Sequence, residues 1–363
     1  MNNLPDIFIF LLLGLVALFA IIIWRLSRRV RSLDELYRKV LHNSANTPSK
    51  SESDAEMMQQ ISAQLDEAQQ VSRTFEKFVP NQFFAHLSGG QSGKIELGNA
   101  IEDEVAILFC DVRGFSRLSE QMSPQELLNF LNSYFERINQ PIHEYGGFID
   151  KFIGDAVMAL FDHPQGTAEN KCRDAISAAL AMRDALNLYN QHRANCNYPP
   201  INIGIGVHFG PVILGTVGSK DRMDSTVLGD VVNTASRLEA LTPTYNADII
   251  VSAQTLEASG LGDSIDYRLL DWVRVKGKQR PVKIYELLGH LPENVRKQRL
   301  SIAPLIEKGI EHRIAQRWDE AIHAFQQAVA SQPQDSVINH HLSHCYRMRG
   351  QLLPPDWDGA LDV

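Results

Sequence analysis

Two aspartates, Asp111 and Asp155, stand 44 residues apart, each at the edge of an apolar segment and beside a glycine. The first lies in VAILFCDVRGFS (residues 105–116), the second in GFIDKFIGDAVM (residues 147–158). Carboxylates that converge from neighbouring strand ends can hold a pair of Mg²⁺ ions against a triphosphate, as nucleotidyl transfer requires. The residues after Asp111 suit the same ligand. Arg113, Gly114, Phe115 and Ser116 open a helix, where backbone amides meet phosphate, and Gly114 allows the backbone to come close.

These groups need rigid elements to position them. Residues 105–110 are uniformly apolar and read as a buried strand. Residues 148–153 and 156–161 read as a hairpin that puts Asp155 at its turn. Ser123, Pro124 and Glu126 form a helix start, with a capping serine, proline at the first position and an acid reaching back. Residues 170–189 predict an alanine-rich amphipathic helix. Residues 201–209 predict a strand, 231–241 a helix and 249–251 a short strand. Residues 267–275 and 282–288 predict a closing hairpin around Lys276 and Lys278. The order implies an α+β fold with a mixed or antiparallel sheet.

Four segments in this order carry a family resemblance: FCDVRGFS (109–116), FIGDAVM (152–158), GIGVHFG (204–210) and LGDVVNTASRL (228–238). The region 100–289 resembles the catalytic domain of the class III adenylyl/guanylyl cyclases. The resemblance implies a ferredoxin-like core, a head-to-tail homodimer with sites between subunits, two Mg²⁺ or Mn²⁺ ions per site, and cyclisation of a nucleoside triphosphate with release of pyrophosphate. It makes Asp111 and Asp155 the metal ligands, with a backbone carbonyl from Val112. It makes Asn233 the ribose-orienting group and Arg237 the group that stabilises charge on the α-phosphate. Lys151 and Thr226 take the positions that read the purine. A lysine donates to adenine N1 and opposes the N1–H of guanine, while a threonine hydroxyl accepts from the adenine amino group or donates to guanine O6. Where many adenylyl cyclases carry aspartate this chain carries Thr226, and the Lys–Thr pair resembles the subclass related to bicarbonate-responsive soluble cyclases. One of Lys276 and Lys278 is expected on the β- and γ-phosphates as a point charge. The expected substrate is ATP. A guanylate cyclase, or a catalytically weak regulatory protein, is the alternative.

Residues 7–24 are an uncharged apolar run of 18 residues, about 27 Å as a helix, followed by Arg25, Arg28, Arg29 and Arg31. The charge asymmetry predicts a single-pass anchor in an inner membrane, with the catalytic domain in the cytoplasm. Residues 25–56 read as a juxtamembrane helix and polar linker, and 57–99 as a signalling or dimerisation helix with its lead-in. Residues 296–349 have the small and aromatic spacing of a tetratricopeptide unit, expected to pack on the catalytic domain or to offer a surface to a protein partner. Residues 350–363 read as an extended tail. The net charge of −8, with no long basic tract beyond the membrane boundary, argues against nucleic acid as the main partner. Four cysteines without CxxC spacing argue against a disulfide framework or a zinc site.

Overall fold

The structure, a computed structural model, describes residues 59, 61–67, 69–70, 98, 100–163, 166–219, 223–275, 280–354 and 357–363. The expected span 7–24, the linker 25–56, Lys276 and Lys278 lie outside the described residues. The chain divides into two units, residues 1–75 and 76–363. In the first, the described residues between 59 and 70 are helical, as their three-and-four apolar spacing predicts.

The second unit is built on one sheet. Strands β1 (Ala100–Val112), β2 (Phe148–Ile153), β3 (Ala156–Phe161) and β4 (Ile203–Gly218) run in the order β2-β3-β1-β4, every neighbour antiparallel. Helices α1 (Phe115–Ser119) and α2 (Pro124–Glu144) connect β1 to β2, and α3 (Ala168–Asn195) connects β3 to β4. This β-α-β-β-α-β order is the ferredoxin-like arrangement. The predicted capping box starts α2: Ser123 N donates to the Glu126 carboxylate at 2.8 Å, and Glu126 N to Ser123 Oγ at 3.4 Å. Helix α3 is longer than the sequence indicates at both ends, its start capped by Thr167.

Period-two alternation gives β1 two buried faces. Ala106, Leu108, Cys110 and Val112 join Phe130, Tyr134 and Met182 beneath α2 and α3. Val105, Ile107 and Phe109 point to the other side, with Val231 and Ala235 of α4 (Asp230–Ala240). Asp111 continues the second set, so it emerges on the α4 side. Gly206 lets α4 lie against β4: a Cβ there would sit 2.2 Å from Glu239 N and 2.5 Å from Ala235 O.

Beyond β4 come a short helix α5 (Thr242–Tyr245), β6 (Ile249–Ser252), α6 (Ala253–Ala258), β7 (Tyr267–Arg274) and β8 (Val282–Leu287). They extend the sheet as β4-β6-β8-β7, the β4–β6 pair being parallel. Strand β5 (Met223–Leu228), absent from the sequence reading, folds back on the far half of β4 and places Thr226 opposite Gly215. Its polar, irregular sequence has no strand period, and only the pairing to β4 makes it one.

The C-terminal segment forms three helices, α7 (Glu293–Ile314), α8 (Trp318–Ser331) and α9 (Ser336–Met348). They close over β7 and share one apolar cluster with it: Leu270 and Val273 meet Ile306, Ile310, Phe325 and Ile338. Buried polar contacts fasten this joint. Arg313 donates to Asp271 at 2.7 Å, both side chains inaccessible to solvent, and Tyr245 Oη donates to the same carboxylate at 2.7 Å. His341 donates through Nε2 to the Leu270 carbonyl at 2.7 Å. The described residues of the tail pack back on the sheet. Strand β9 (Leu361–Asp362) pairs in parallel with β7, and Trp357 lies against Trp318. Arg313→Met leaves Asp271 buried without its cationic partner and is expected to cost about 3–5 kcal/mol. Chemical denaturation checks this; an unchanged midpoint would mean that the helices are not part of the same cooperative unit.

Candidate active site

Strand β1 delivers Asp111 at its end, and the β2–β3 turn delivers Asp155. Gly154, at φ +67°, takes the first position of a two-residue turn, so Asp155 projects from the tip. The antiparallel register sets Cys110 against Val157, which brings the turn beside the end of β1. Both carboxylates reach one donor: the Val112 amide donates to Asp111 Oδ1 at 3.0 Å and to Asp155 Oδ2 at 3.2 Å. Val112 thus enters the site through its amide.

The electrostatics follow from the crowding. Burial, and then the neighbouring Asp111, push the Asp155 carboxyl up to about 7. A third acid stands close. Glu239, on the last turn of α4, is also pushed up to about 7, by burial first and then by the charge of Asp111, with Asp155 adding to it and Arg113 opposing. Glu239 was not singled out from sequence, because a glutamate near a helix end has no distinguishing pattern. Acids held up in this way are stabilised as carboxylates by a nearby cation. Among the described residues no group of three or more His, Cys, Asp or Glu side chains forms a metal cage. A two-carboxylate platform completed by substrate phosphates is the usual Mg²⁺ arrangement, and Asp111 with Asp155 fits it.

The residues that the sequence places on the phosphates separate. Arg113 donates its amide to Asn202 O at 2.8 Å and its guanidinium to Ala247 O at 2.5 Å, with Asp248 3.6 Å away. Arg183 and His290 hold the same Asp248. The Arg113 side chain therefore braces the β1 end against the segment before β6. Gly114, Phe115 and Ser116 remain at the start of α1, Gly114 at φ +70° with open space where a Cβ would be.

Helix α4 carries Asn233 and Arg237 four residues apart. Its buried face is Val231, Thr234, Ala235 and Leu238, which turns Asn233 outward, exposed. Arg237 and Glu239 lie roughly 160° apart around the helix, on opposite flanks. Glu239 is the one that faces Asp111 within the chain. Arg237 Nη1 is buried without a hydrogen-bond partner among the described residues.

Lys151 lies on β2, where the register shifts between Ile149 and Lys151. Such a bulge re-aims side chains and lets neighbours share a side. Lys151 Nζ lies 3.2 Å from Asp150 Oδ2, whose side chain is only 1% exposed. Burial raises the Asp150 carboxyl and Lys151 pulls it back. Asp150 was missed in the sequence, where adjacent strand residues are expected on opposite faces. Asp150→Asn releases the ammonium from its anchor. With Lys151 in the base-reading position that the sequence expects, a nucleotide KM about tenfold higher and a similar loss of preference between purines are expected, with an unchanged or higher melting temperature. Unchanged nucleotide preference would reduce Asp150 to a packing role.

Residues 99–289 match the family model described as the adenylate and guanylate cyclase catalytic domain, over half of the 363-residue chain. The chain belongs to this family. An adenylate cyclase of Anabaena cylindrica is 40% identical over 237 residues, which cover 64% of this chain and 46% of that protein. The terminal-differentiation-specific adenylate cyclase of Dictyostelium discoideum is 33% identical over 309 residues, 84% of this chain and 14% of its own length. Among solved structures, a bacterial light-regulated adenylyl cyclase superposes with a TM-score of 0.56 at 29% identity, covering 70% of this chain and 71% of that one. The chain spans less than half the length of either curated relative.

Proposed function

We propose that this chain is an adenylate cyclase, converting ATP to 3′,5′-cyclic AMP and pyrophosphate at sites completed by a second copy of itself. The observation that carries the reading is the convergence of Asp111 and Asp155 on one amide, in a fold whose matched family comprises nucleotide cyclases. When bound there, two Mg²⁺ or Mn²⁺ ions would make the ribose 3′-hydroxyl more acidic and neutralise the phosphates. Asp111 and Asp155 would hold them, with the Val112 carbonyl as a further ligand, while the Val112 amide orients both carboxylates. The amides of Gly114, Phe115 and Ser116 face the phosphates. Lys151, braced by Asp150, donates to adenine N1, and Thr226 accepts from the adenine amino group. Asn233 orients the ribose, and Arg237 stabilises the charge that develops on the α-phosphate. Lys276 or Lys278 grips the terminal phosphates.

Two features support the dimeric arrangement. Asn233 and Arg237 face away from the aspartates of their own chain, so a partner chain is the source of a complete set. The β4–β5 ribbon and the β2–β3 tip also expose large apolar side chains, among them Ile213, Leu228, Phe152 and Ile153, each 41–52% accessible. We further assign residues 7–24 to an inner-membrane anchor that keeps the catalytic domain in the cytoplasm. Residues 58–70 are assigned to a dimer-contact helix that raises the effective concentration of the pair. The C-terminal helices are assigned a tetratricopeptide-like role in protein contact. Among the described residues no helix is long and apolar enough to cross a membrane.

The test is product formation by the full-length protein in membranes, with Mg²⁺ or Mn²⁺, offering ATP and GTP separately. Cyclic AMP is expected. Cyclic GMP would reassign the base reader, and no product from either would favour a regulatory protein. Because Asp155 takes up a proton near pH 7, the Mg²⁺ concentration for half-maximal rate is expected to rise as pH falls through about 7. A Mg²⁺ requirement flat from pH 8 to 6, both about one unit from that value, would mean that Asp155 keeps its charge across that range.

A further inference from the structure

A cavity that shares no residue with the proposed nucleotide site has the chemistry of an anion receptor. It lies between α1, α2 and the end of α3, has a volume of about 520 Å³, and opens to solvent. That size suits a small organic molecule. Leu118, Met122, Phe130, Tyr189 and Tyr198 give it an apolar and aromatic wall, and Arg193 belongs to the same wall.

Arg193 is only 6% exposed. Its guanidinium carbon lies 5.1 Å from the centre of the Phe130 ring, 5.7 Å from that of Tyr189 and 5.5 Å from that of Tyr198. The aromatic rings attract the positive charge. They do not satisfy the in-plane N–H groups, and those find little else. Nε donates to Pro199 O at 2.9 Å, while Nη2 is buried with no hydrogen-bond partner. No carboxylate forms an ion pair with Arg193 among the described residues. A buried guanidinium with an unmet donor is costly unless an acceptor arrives. The other ionic side chains of the wall are Arg137 and Glu126, and the Glu126 carboxylate is already engaged by the Ser123 amide at 2.8 Å. Positive charge therefore dominates beside flat apolar surfaces.

We propose that this cavity binds a small organic anion: a carboxylate that takes the free guanidinium donor, carried on a flat apolar body that lies among the rings. The site goes beyond the nucleotide chemistry proposed above and shares no residue with it. It also adjoins that chemistry, because Leu118 belongs to α1, which begins four residues after Asp111.

Benzoate is the probe, with benzyl alcohol as its uncharged counterpart, titrated by calorimetry into the full-length protein in detergent. The expected result is one benzoate per chain with a dissociation constant on the order of 1 mM, and binding of the alcohol weaker by about tenfold or more. Arg193→Gln removes the charge and is expected to weaken benzoate about tenfold or more. Ser133→Trp fills the cavity from an exposed position on α2 without touching Arg193, and is expected to abolish binding even if the arginine variant fails to fold. Absence of saturable benzoate binding to the unaltered protein would overturn the proposal. So would benzoate binding undiminished by Ser133→Trp, which would place the anion elsewhere.

Discussion

Asp155→Asn is expected to abolish cyclic nucleotide formation and, in the same molecule, to stabilise the fold at pH 8. The catalytic loss follows from removing one of two carboxylates that hold the metal pair, and should exceed about a thousandfold. The gain in stability follows from the raised carboxyl. An acid whose folded value is about 7 is more easily ionised unfolded than folded. Stability therefore falls as pH rises from about 4 to about 7, and the penalty persists above that. Asparagine carries no such penalty. Since Asp155 is only part-buried, solvent screening reduces the gain to on the order of 1 kcal/mol. Thermal denaturation in a chelating buffer should show the variant ahead at pH 8 and level with the parent near pH 4. A variant that keeps its activity, or that melts below the parent at pH 8, would sink the assignment. Added Mg²⁺ should stabilise the parent and leave the variant nearly unmoved.

Arg237→Ala is expected to lower the rate about 10²–10³-fold, the usual loss on removing a group aimed at transition-state charge. The more telling experiment combines it with Asp155→Asn. Co-expression of the two inactive chains should restore about a quarter of the parental activity. Half of the random dimers are mixed, and each mixed dimer has one of its two sites intact. The expectation comes from α4, where Arg237 and Glu239 leave the helix on opposite flanks and only Glu239 faces Asp111. No restored activity, with mixed dimers verified by differential tags, would mean that each site is assembled within one chain.

The two experiments probe different levels of the architecture. Asp155 depends on the β2–β3 turn and the register of β1, which one chain supplies. Arg237 depends on how two chains meet. The Arg313–Asp271 joint lies at a third level, coupling the C-terminal helices to α5 through Tyr245, directly after the helix that carries Asn233 and Arg237.

Much of the core was legible in the amino-acid order. The hairpin over 148–161, the capped start of α2 and the closing hairpin over 267–288 follow from local signals: alternation, turn glycine and capping chemistry. So does the appearance of Asp111 and Asp155 at strand ends. These features are short-range, and a strand or helix end is specified by the few residues around it. Contacts distant in sequence were not legible. Strand β5 exists because β4 offers it an edge. The bulge that brings Asp150 to Lys151 arises from pairing with β3. Arg113 looks like a phosphate ligand beside Gly114, yet Asp248, 135 residues later, competes for its charge. Glu239 becomes a member of the acidic cluster only because Gly206 lets α4 settle onto β4. The sequence by itself determined which residues could do chemistry and which local element carries each one. The tertiary structure decided which of them share a site, because charge interactions and burial depend on distance through space, and that distance is set by sheet register and helix packing.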